Sequence, residues 1–223
     1  GNIRLVNNDP QEPVKLVPTN ITVVQDNDAL PLVINEILAD PPSEDSTVGD
    51  ANGNEARDAS GTAGDANGDG TRDGSEDEFI EIYNTGSTAI DLSGYTIEDE
   101  VGLRHTIPSG TTLDAGLALT VFGGGTPTGI PGVVQTASEG QLGLNNDGDT
   151  ATLKNASGGT VANVSYGNEA GNGQSLVRSP EFTGSFVQHT TAGAGAFSPG
   201  RQADGTPLPV ELTGFTATRS GES

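Results

Sequence analysis

The residues of this chain that could do chemistry are concentrated in one short acidic stretch. Its oxygen-bearing side chains stand at alternate positions and then at wider intervals: Asp65, Asn67, Asp69, Thr71, Asp73 and Glu76. Gly70 follows the third of them, where the chain would have to turn sharply. Oxygen ligands on a flexible loop suit Ca²⁺, which takes six to eight of them, better than octahedral Mg²⁺. The stretch therefore predicts a calcium site.

The spacing is that of an EF-hand-type calcium loop, with Asp65 at its first position and Glu76, the expected bidentate ligand, at its twelfth. Thr71 would offer its carbonyl oxygen, and Asp73 would bind directly or through water. A chance match in a stretch rich in Asp and Gly is the alternative. Residues 78–83 read as a strand, so the paired helices of sensor proteins are missing. We therefore expect a structural site and no helix-opening switch.

A degenerate copy of the loop lies earlier in the chain, since residues 49–54 recur as residues 64–69. Glu55 replaces the turning glycine, and Gly61 stands where the glutamate should be. Two readings stay open for this copy, a second calcium site or a solvated acidic loop. The ligands of a second ion would be Asp50, Asn52, Asn54 and Asp58, supplemented by acids on the strands that the insert joins, Glu36, Asp40, Glu78 and Glu81.

The charge of the chain favours cations as partners. Thirty-one acids face nine bases, for a net charge of −22. Nucleic acid and anionic membranes are disfavoured, because phosphate binding needs clustered Lys and Arg. No apolar run is long enough to span a bilayer, so we expect no membrane insertion. The chain contains no Cys or Met and shows no signal peptide. We expect it to be a mature or excised piece of a longer product.

Signals of enzyme chemistry are weak. His105 and His189 do not stand at a metal-binding spacing, and neither a nucleophile elbow nor a P-loop occurs. Glu36 and Glu81 could form the acid pair of a glycoside hydrolase, but that class needs an aromatic-lined cleft. With three Tyr and no Trp, we expect no such cleft. We expect no catalysis.

Short β-rich runs between Gly, Pro, Asn and Asp predict an all-β sandwich. In the run at 79–83, Ile80 and Ile82 share one face and are assigned to the core. The segment 145–149 reads as a hairpin turn rather than a metal site. The strand-like runs are 33–38, 79–83, 117–122, 150–154, 161–166 and 175–178, with weaker ones at 89–92, 95–97 and 133–135. Further runs at 3–6, 20–25 and 208–215 lie near the ends, and residues 190–207 read as a linker.

The centre of the chain resembles a bacterial lamin-tail domain, an immunoglobulin-like β-sandwich. The residues that carry the resemblance are LVINEI at 32–37, DEFIEIYN at 77–84, IDLSGYTI at 90–97 and LNNDGDTATL at 144–153. The resemblance covers residues 31–190, with the calcium-loop insert at 41–77. It implies a non-catalytic domain, often appended to secreted enzymes or surface proteins, with no universal ligand.

The flanking segments resemble other families. Residues 20–28 in the N-terminal extension 1–30 look like the closing strand of a Calx-β-type repeat. Residues 208–217, in the linker and C-terminal strand of 191–223, look like the junction before sorting domains of the type IX secretion route. Both resemblances imply a secreted multidomain protein.

These patterns predict an extracellular or cell-surface bacterial protein with a structural role, stabilised by one calcium ion or more. A terminal strand of one subunit could complete a sheet of the next, head to tail, in a filament or surface matrix. The alternative is a non-catalytic binding or adhesion module of a larger secreted protein or enzyme. That module would have a glycan or a surface protein as its ligand.

Overall fold

The computed structural model describes residues 30–43 and 63–208. Within these ranges the chain is built almost entirely of short strands, which confirms the predicted all-β, immunoglobulin-like sandwich. The predicted terminal runs at 3–6 and 20–25 lie outside the described residues, as does 208–215 beyond its first residue. The degenerate loop copy, with Asp50, Asn52, Asn54 and Asp58, also lies outside them.

Twelve strands follow one another in the described ranges. They are β1 (Leu32–Leu38), β2 (Phe79–Asn84), β3 (Ile90–Asp91), β4 (Thr96–Glu98), β5 (Leu103–Thr106), β6 (Thr112–Leu113), β7 (Ala118–Phe122), β8 (Val133–Thr136), β9 (Asp149–Lys154), β10 (Thr160–Tyr166), β11 (Leu176–Ser179) and β12 (Ser185–Gln188). A 3₁₀ turn spans Asn168–Ala170, and one short helix, α1, spans His189–Ala192. No helix in the described part of the chain is long and apolar enough to cross a membrane.

Two sheets form the sandwich. The larger has the strand order β12-β11-β1-β2-β7-β8, and the smaller has the order β10-β9-β4-β5. All pairs are antiparallel except β7 with β8, and β3 pairs with β6 separately. Nine predicted runs match observed strands to within one or two residues, whereas β5, β6 and β12 were not among the predicted runs. Strands this short carry too few residues for a period-two pattern to stand out.

The main core lies between the two sheets, and Ile80 and Ile82 belong to it as predicted. Strand β2 is nevertheless buried along its whole length, on both faces. Its second face carries Phe79, Glu81 and Tyr83, and it looks away from the smaller sheet. We call this side of the larger sheet the outer face.

The outer face is covered by residues 189–208, which we call the strap. The sequence predicts a linker at 190–207, but the structure buries residues 196–200 against the sheet. Small residues allow the strap backbone to approach the strands closely, and Phe197 fills the space between it and the sheet. The resulting apolar group, the outer-face cluster, consists of Leu38, Ala66, Phe79, Phe122, Ala196 and Phe197.

Candidate functional site

The predicted calcium loop, which we call the acidic loop (residues 65–77), lies between the end of β1 and the segment that follows β7. Arg72 donates from Nε to the carbonyl of Pro42 at 3.0 Å and from Nη2 to that of Pro41 at 2.7 Å. On the other side, the Thr128 amide donates to the carbonyl of Asn67 at 2.8 Å. The loop therefore ties the end of β1 to the end of β7, across β2.

The first half of the acidic loop folds around the Asp65 carboxylate. Its two oxygens accept the amide hydrogens of Asp69 at 3.1 Å and Gly70 at 2.8 Å. Asn67 Oδ1 also accepts from the Asp69 amide, at 3.0 Å. Gly70 has a φ of 94°, in the left-handed region that favours glycine. The structure thus has the sharp turn where the spacing predicts it.

The second half of the loop is more open to solvent. Asp73 Oδ1 accepts the amide hydrogens of Ser75 at 2.8 Å and Glu76 at 3.0 Å. These two bonds lower the pKa of Asp73. The side chains of Thr71, Asp73 and Glu76 are exposed, and Glu76 lies beside Gly124.

Asp77 is the loop residue that the sequence did not single out. It is fully buried, and it accepts the Asn67 amide at 3.0 Å and the Asp73 amide at 2.6 Å. The carboxylate therefore closes the loop by bridging its two halves. Burial is the main cause of a pKa of about 6 for Asp77, and the charge of nearby Asp65 contributes to this rise. The sequence feature that could have identified Asp77 is an acidic residue one position beyond the end of the twelve-residue motif.

The loop carboxylates form no ion pair in the described part of the chain, and Arg72, the base within the loop, donates to the Pro41 and Pro42 carbonyls. The ion pairs found there join Asp99 with Arg104 and Glu98 with Lys154, and His189 Nε2 lies 3.9 Å from Glu36 Oε1. Burial raises the pKa of Asp65 as well, and the charge of Asp69 adds to this effect. Among the described residues, no three His, Cys, Asp or Glu side chains stand close enough together to hold a metal ion.

Two of the four supplementary ligands predicted for a second ion, Glu36 and Glu81, lie on the outer face under the strap. Glu36 accepts hydrogen bonds from Ser198, and Glu81 accepts one from the Gly200 amide. Their oxygens are used by the strap, and they are not among the ligands that we propose below.

The other two supplementary candidates also bond to other parts of the chain. Asp40 accepts from Asn146 Nδ2 at 3.2 Å and from the Gly173 amide at 3.0 Å. Glu78 accepts from the Leu144 amide at 3.2 Å, and burial raises its pKa to about 8. The structure does not gather these acids around the acidic loop.

The two histidines contact neither each other nor the acidic loop through a hydrogen bond. His105 bonds to Gln135 and Ser138, and His189 bonds to Gly195 and Ser198. The segment 145–149 forms a turn before β9, with Asp149 accepting from the backbone and side chain of Asn145. The sequence predicts a turn here, but the predicted hairpin is wrong, because the preceding strand β8 lies in the other sheet and β9 pairs with β10 and β4.

Most of the chain matches a known protein family. Residues 25–168, well over half of the chain, match the family model of the Lamin Tail Domain. The matched residues include the whole acidic loop and the strands from β1 to β10. No curated protein matches the sequence.

Proposed function

Because the chain belongs to the lamin-tail domain family, whose fold is an immunoglobulin-like sandwich, we propose that it is a calcium-stabilised structural module of the cell exterior. Domains of this kind are typically non-catalytic structural modules. The bound ion would fix the acidic loop between the ends of β1 and β7. The proposal concerns stability and assembly, with no chemical step.

The observation that carries the proposal is the pair of buried loop carboxylates that form no ion pair within the described residues. Asp77 is fully buried and Asp65 is 7% exposed, and burial raises the pKa of both carboxyls. Like charge adds to the rise, from Asp65 at Asp77 and from Asp69 at Asp65. Buried charges are costly unless they are paired or bind a metal. A divalent cation at the loop would offset this cost and also neutralise the remaining loop acids.

The proposed ligands provide only oxygen atoms, as Ca²⁺ prefers. Asp77 is not a ligand in this proposal, because its oxygens accept the amides of Asn67 and Asp73 and so shape the loop. The exposed side chains of Asp73 and Glu76 would have to turn towards Asp65. The ligands are Asp65, Asn67, Asp69, the carbonyl of Thr71, Asp73 directly or through water, and Glu76.

Calorimetric titration with Ca²⁺ tests the proposal. We expect one saturable site in the wild type, and a loss of affinity of more than about 100-fold in Asp65→Ala, because loss of a supporting hydrogen bond alone costs about 10–100-fold. Asp147→Ala is the matched control, since it removes an exposed aspartate from a turn outside the loop. Equal affinities in the two variants, or no binding to the wild type, would refute the calcium site.

The proposal extends to assembly into an extracellular filament or surface matrix. Strand β10 supports it, because this seven-residue strand is at one edge of the smaller sheet. Within the described residues, its backbone hydrogen bonds go to β9 alone. An open edge of this length can accept a strand from another subunit. The strand-like terminal runs of the sequence are the proposed donors.

Asn163→Lys tests assembly, since this residue is exposed on β10 and a lysine on an edge strand opposes pairing. We expect the full chain to self-associate with Ca²⁺ present, and the variant to do so about tenfold more weakly. Ser109→Lys, in an exposed turn, is the control for added charge. Sedimentation velocity gives the readout. A wild type that stays monomeric at high concentration contradicts assembly, and would favour the alternative of an adhesion module with a glycan or surface-protein ligand.

A further inference from the structure

Two glutamates share the buried surface between the larger sheet and the strap. Glu36 of β1 and Glu81 of β2 are opposite each other in the strand register, and both are fully buried. A bulge between Ile34 and Glu36 turns Asn35 and Glu36 to the same outer face. Asn35 Nδ2 consequently reaches Glu81 Oε1 at 3.0 Å. A pair of carboxylates at this place must be stabilised by donors or by protons.

The strap supplies much of what these carboxylates bind. Glu36 accepts the Ser198 amide at 2.9 Å and the Ser198 hydroxyl at 2.8 Å, and the Ser175 hydroxyl at 2.6 Å. Glu81 accepts the Gly200 amide at 2.7 Å. Each glutamate side chain therefore joins the sheet to the strap through buried hydrogen bonds.

Counting hydrogens shows that this network needs an additional proton. Ser198 Oγ lies 2.8 Å from Glu36 Oε2 and 3.0 Å from His189 Nε2, but a hydroxyl donates only one hydrogen. The other ring nitrogen, Nδ1, faces the carbonyl of Gly195 at 3.2 Å and must carry a hydrogen of its own. For both contacts of Ser198 to be hydrogen bonds, a proton must be present on Nε2 or on Glu36.

The surroundings favour the proton on His189. Glu36 accepts hydrogen bonds from three donors, so both of its oxygens act as acceptors. His189 Nε2 also lies 3.9 Å from Glu36 Oε1, within the range of an ion pair. The consistent arrangement is an imidazolium that donates to Ser198, whose hydroxyl donates to a charged Glu36.

We propose that the strap is locked onto the sheet by one proton held between His189 and Glu36 through Ser198, and that loss of this proton releases the strap. Transfer of the Nε2 proton to solvent leaves a neutral ring. Ser198 can then donate to only one of its two neighbours. Release would uncover the outer-face cluster, including Phe79 and Phe122. This inference does not depend on calcium.

The other titratable groups around His189 and Glu36 also weaken the contact between strap and sheet as the pH rises. Burial raises the pKa of Glu81 to about 8, and the charge of Glu36 contributes. Because this pKa is above that of an unfolded glutamate, the stabilising contribution is complete at low pH and is lost as the pH rises through about 8. Burial also raises the pKa of Glu181, which accepts from Asn35 and from the Ala203 amide. Above this range, several carboxylates repel one another under the strap.

The nearby basic groups do not neutralise these carboxylates. Arg178 donates to the carbonyls of Ile34 and Gly184, and Arg201 donates to the carbonyl of Gly205. Asp204 accepts from Thr206 near the end of the strap. In the described part of the chain, His189 is the one cationic partner of Glu36.

The other histidine provides an internal comparison. His105 Nδ1 accepts the Ser138 amide at 3.2 Å, so this nitrogen carries no hydrogen. Its Nε2 lies 2.7 Å from Gln135 Oε1 and donates to it. Burial lowers the pKa of His105, which keeps the ring neutral. Counting hydrogens in the same way therefore gives a neutral ring for His105 and a protonated ring for His189.

Amide hydrogen exchange of Ser198 and Gly200 across a pH series tests the lock. After correction for base catalysis, we expect their protection to fall at least tenfold above about pH 8, while the Ala137 amide, which bonds to Phe122 in the sheet, keeps its protection. His189→Gln should lower strap protection at least tenfold already at neutral pH. His105→Gln, the matched control, should leave it unchanged.

If His189→Gln does not fold, Ser198→Ala tests the same proposal. This variant removes the bridging hydroxyl, and we expect weak strap protection that no longer follows the wild-type pH profile. Strap protection in the wild type that is constant up to pH 10 would overturn the proposal. So would a Ser198→Ala variant whose pH profile equals that of the wild type.

Discussion

Replacing Phe79 with alanine should lower the free energy of unfolding by about 3–5 kcal/mol, the usual cost of removing a buried aromatic ring. Phe79 is fully buried at the centre of the outer-face cluster. Its ring centre lies 5.5 Å from that of Phe122 and 6.5 Å from that of Phe197, both in tilted or edge-on geometry. The cluster also contains Ala66 of the acidic loop. The change therefore affects the sheet, the strap and the loop together.

Urea unfolding measures this loss, and we expect the melting temperature to fall by about 6–20 °C in parallel. Phe79→Leu, which retains most of the volume, should recover more than half of the free energy. Phe186→Ala is the control, because that ring is only partly buried beneath Arg178. If Phe79→Ala cost no more than Phe186→Ala, the strap would not be part of the folded core.

Removing Ca²⁺ with a chelator should lower the melting temperature of the wild type by about 5–10 °C, compared with protein at a Ca²⁺ concentration about 100-fold above the dissociation constant. Ligand binding at that excess contributes about 2.7 kcal/mol of stability. For a chain of this size each kcal/mol corresponds to about 2–4 °C. The physical reason is that the ion offsets the repulsion among Asp65, Asp69 and the buried Asp77.

Asp65→Ala should melt at the same temperature with and without the chelator, because it has no high-affinity site from which Ca²⁺ can be removed. Asp147→Ala should retain the full difference. Mg²⁺ added at the same concentration should restore less stability than Ca²⁺, since its octahedral geometry suits the loop poorly. A chelator effect of equal size in wild type and Asp65→Ala would assign the stabilising ion to another part of the chain.

The sequence predicts the strands well where alternation is strong and one face is buried. Ile80 and Ile82 are an example, because a period of two marks the face that packs between the sheets. Burial of the opposite face of β2 was not predicted, because a charged residue such as Glu81 on a strand usually faces solvent. It is buried because a segment more than one hundred residues away covers it. Two features of the sequence indicate this burial. Phe79 and Tyr83 on that face are large aromatic residues, and Phe197 is the one aromatic residue in the Gly-, Ala- and Pro-rich segment 190–207.

The acidic loop was predictable because its residues are close together in the sequence. The turn at Gly70 follows from local spacing, as do the hydrogen bonds that Asp65 accepts from the amides of Asp69 and Gly70. The positions of Glu36 and Glu81 did not follow in this way. Acids on the flanking strands were assigned to the insert, but a bulge and the strand register direct them to the strap. Their partners, Ser198 and Gly200, are related to them only through the fold.

An anomalous difference map from crystals of this chain grown with Ca²⁺ tests directly whether the acidic loop binds calcium. We predict one strong peak inside the acidic loop, with oxygens of Asp65, Asn67 and Asp69 at about 2.3–2.6 Å. A well-ordered loop with no peak at millimolar Ca²⁺, or with its carboxylates turned away from the ion, would contradict the account.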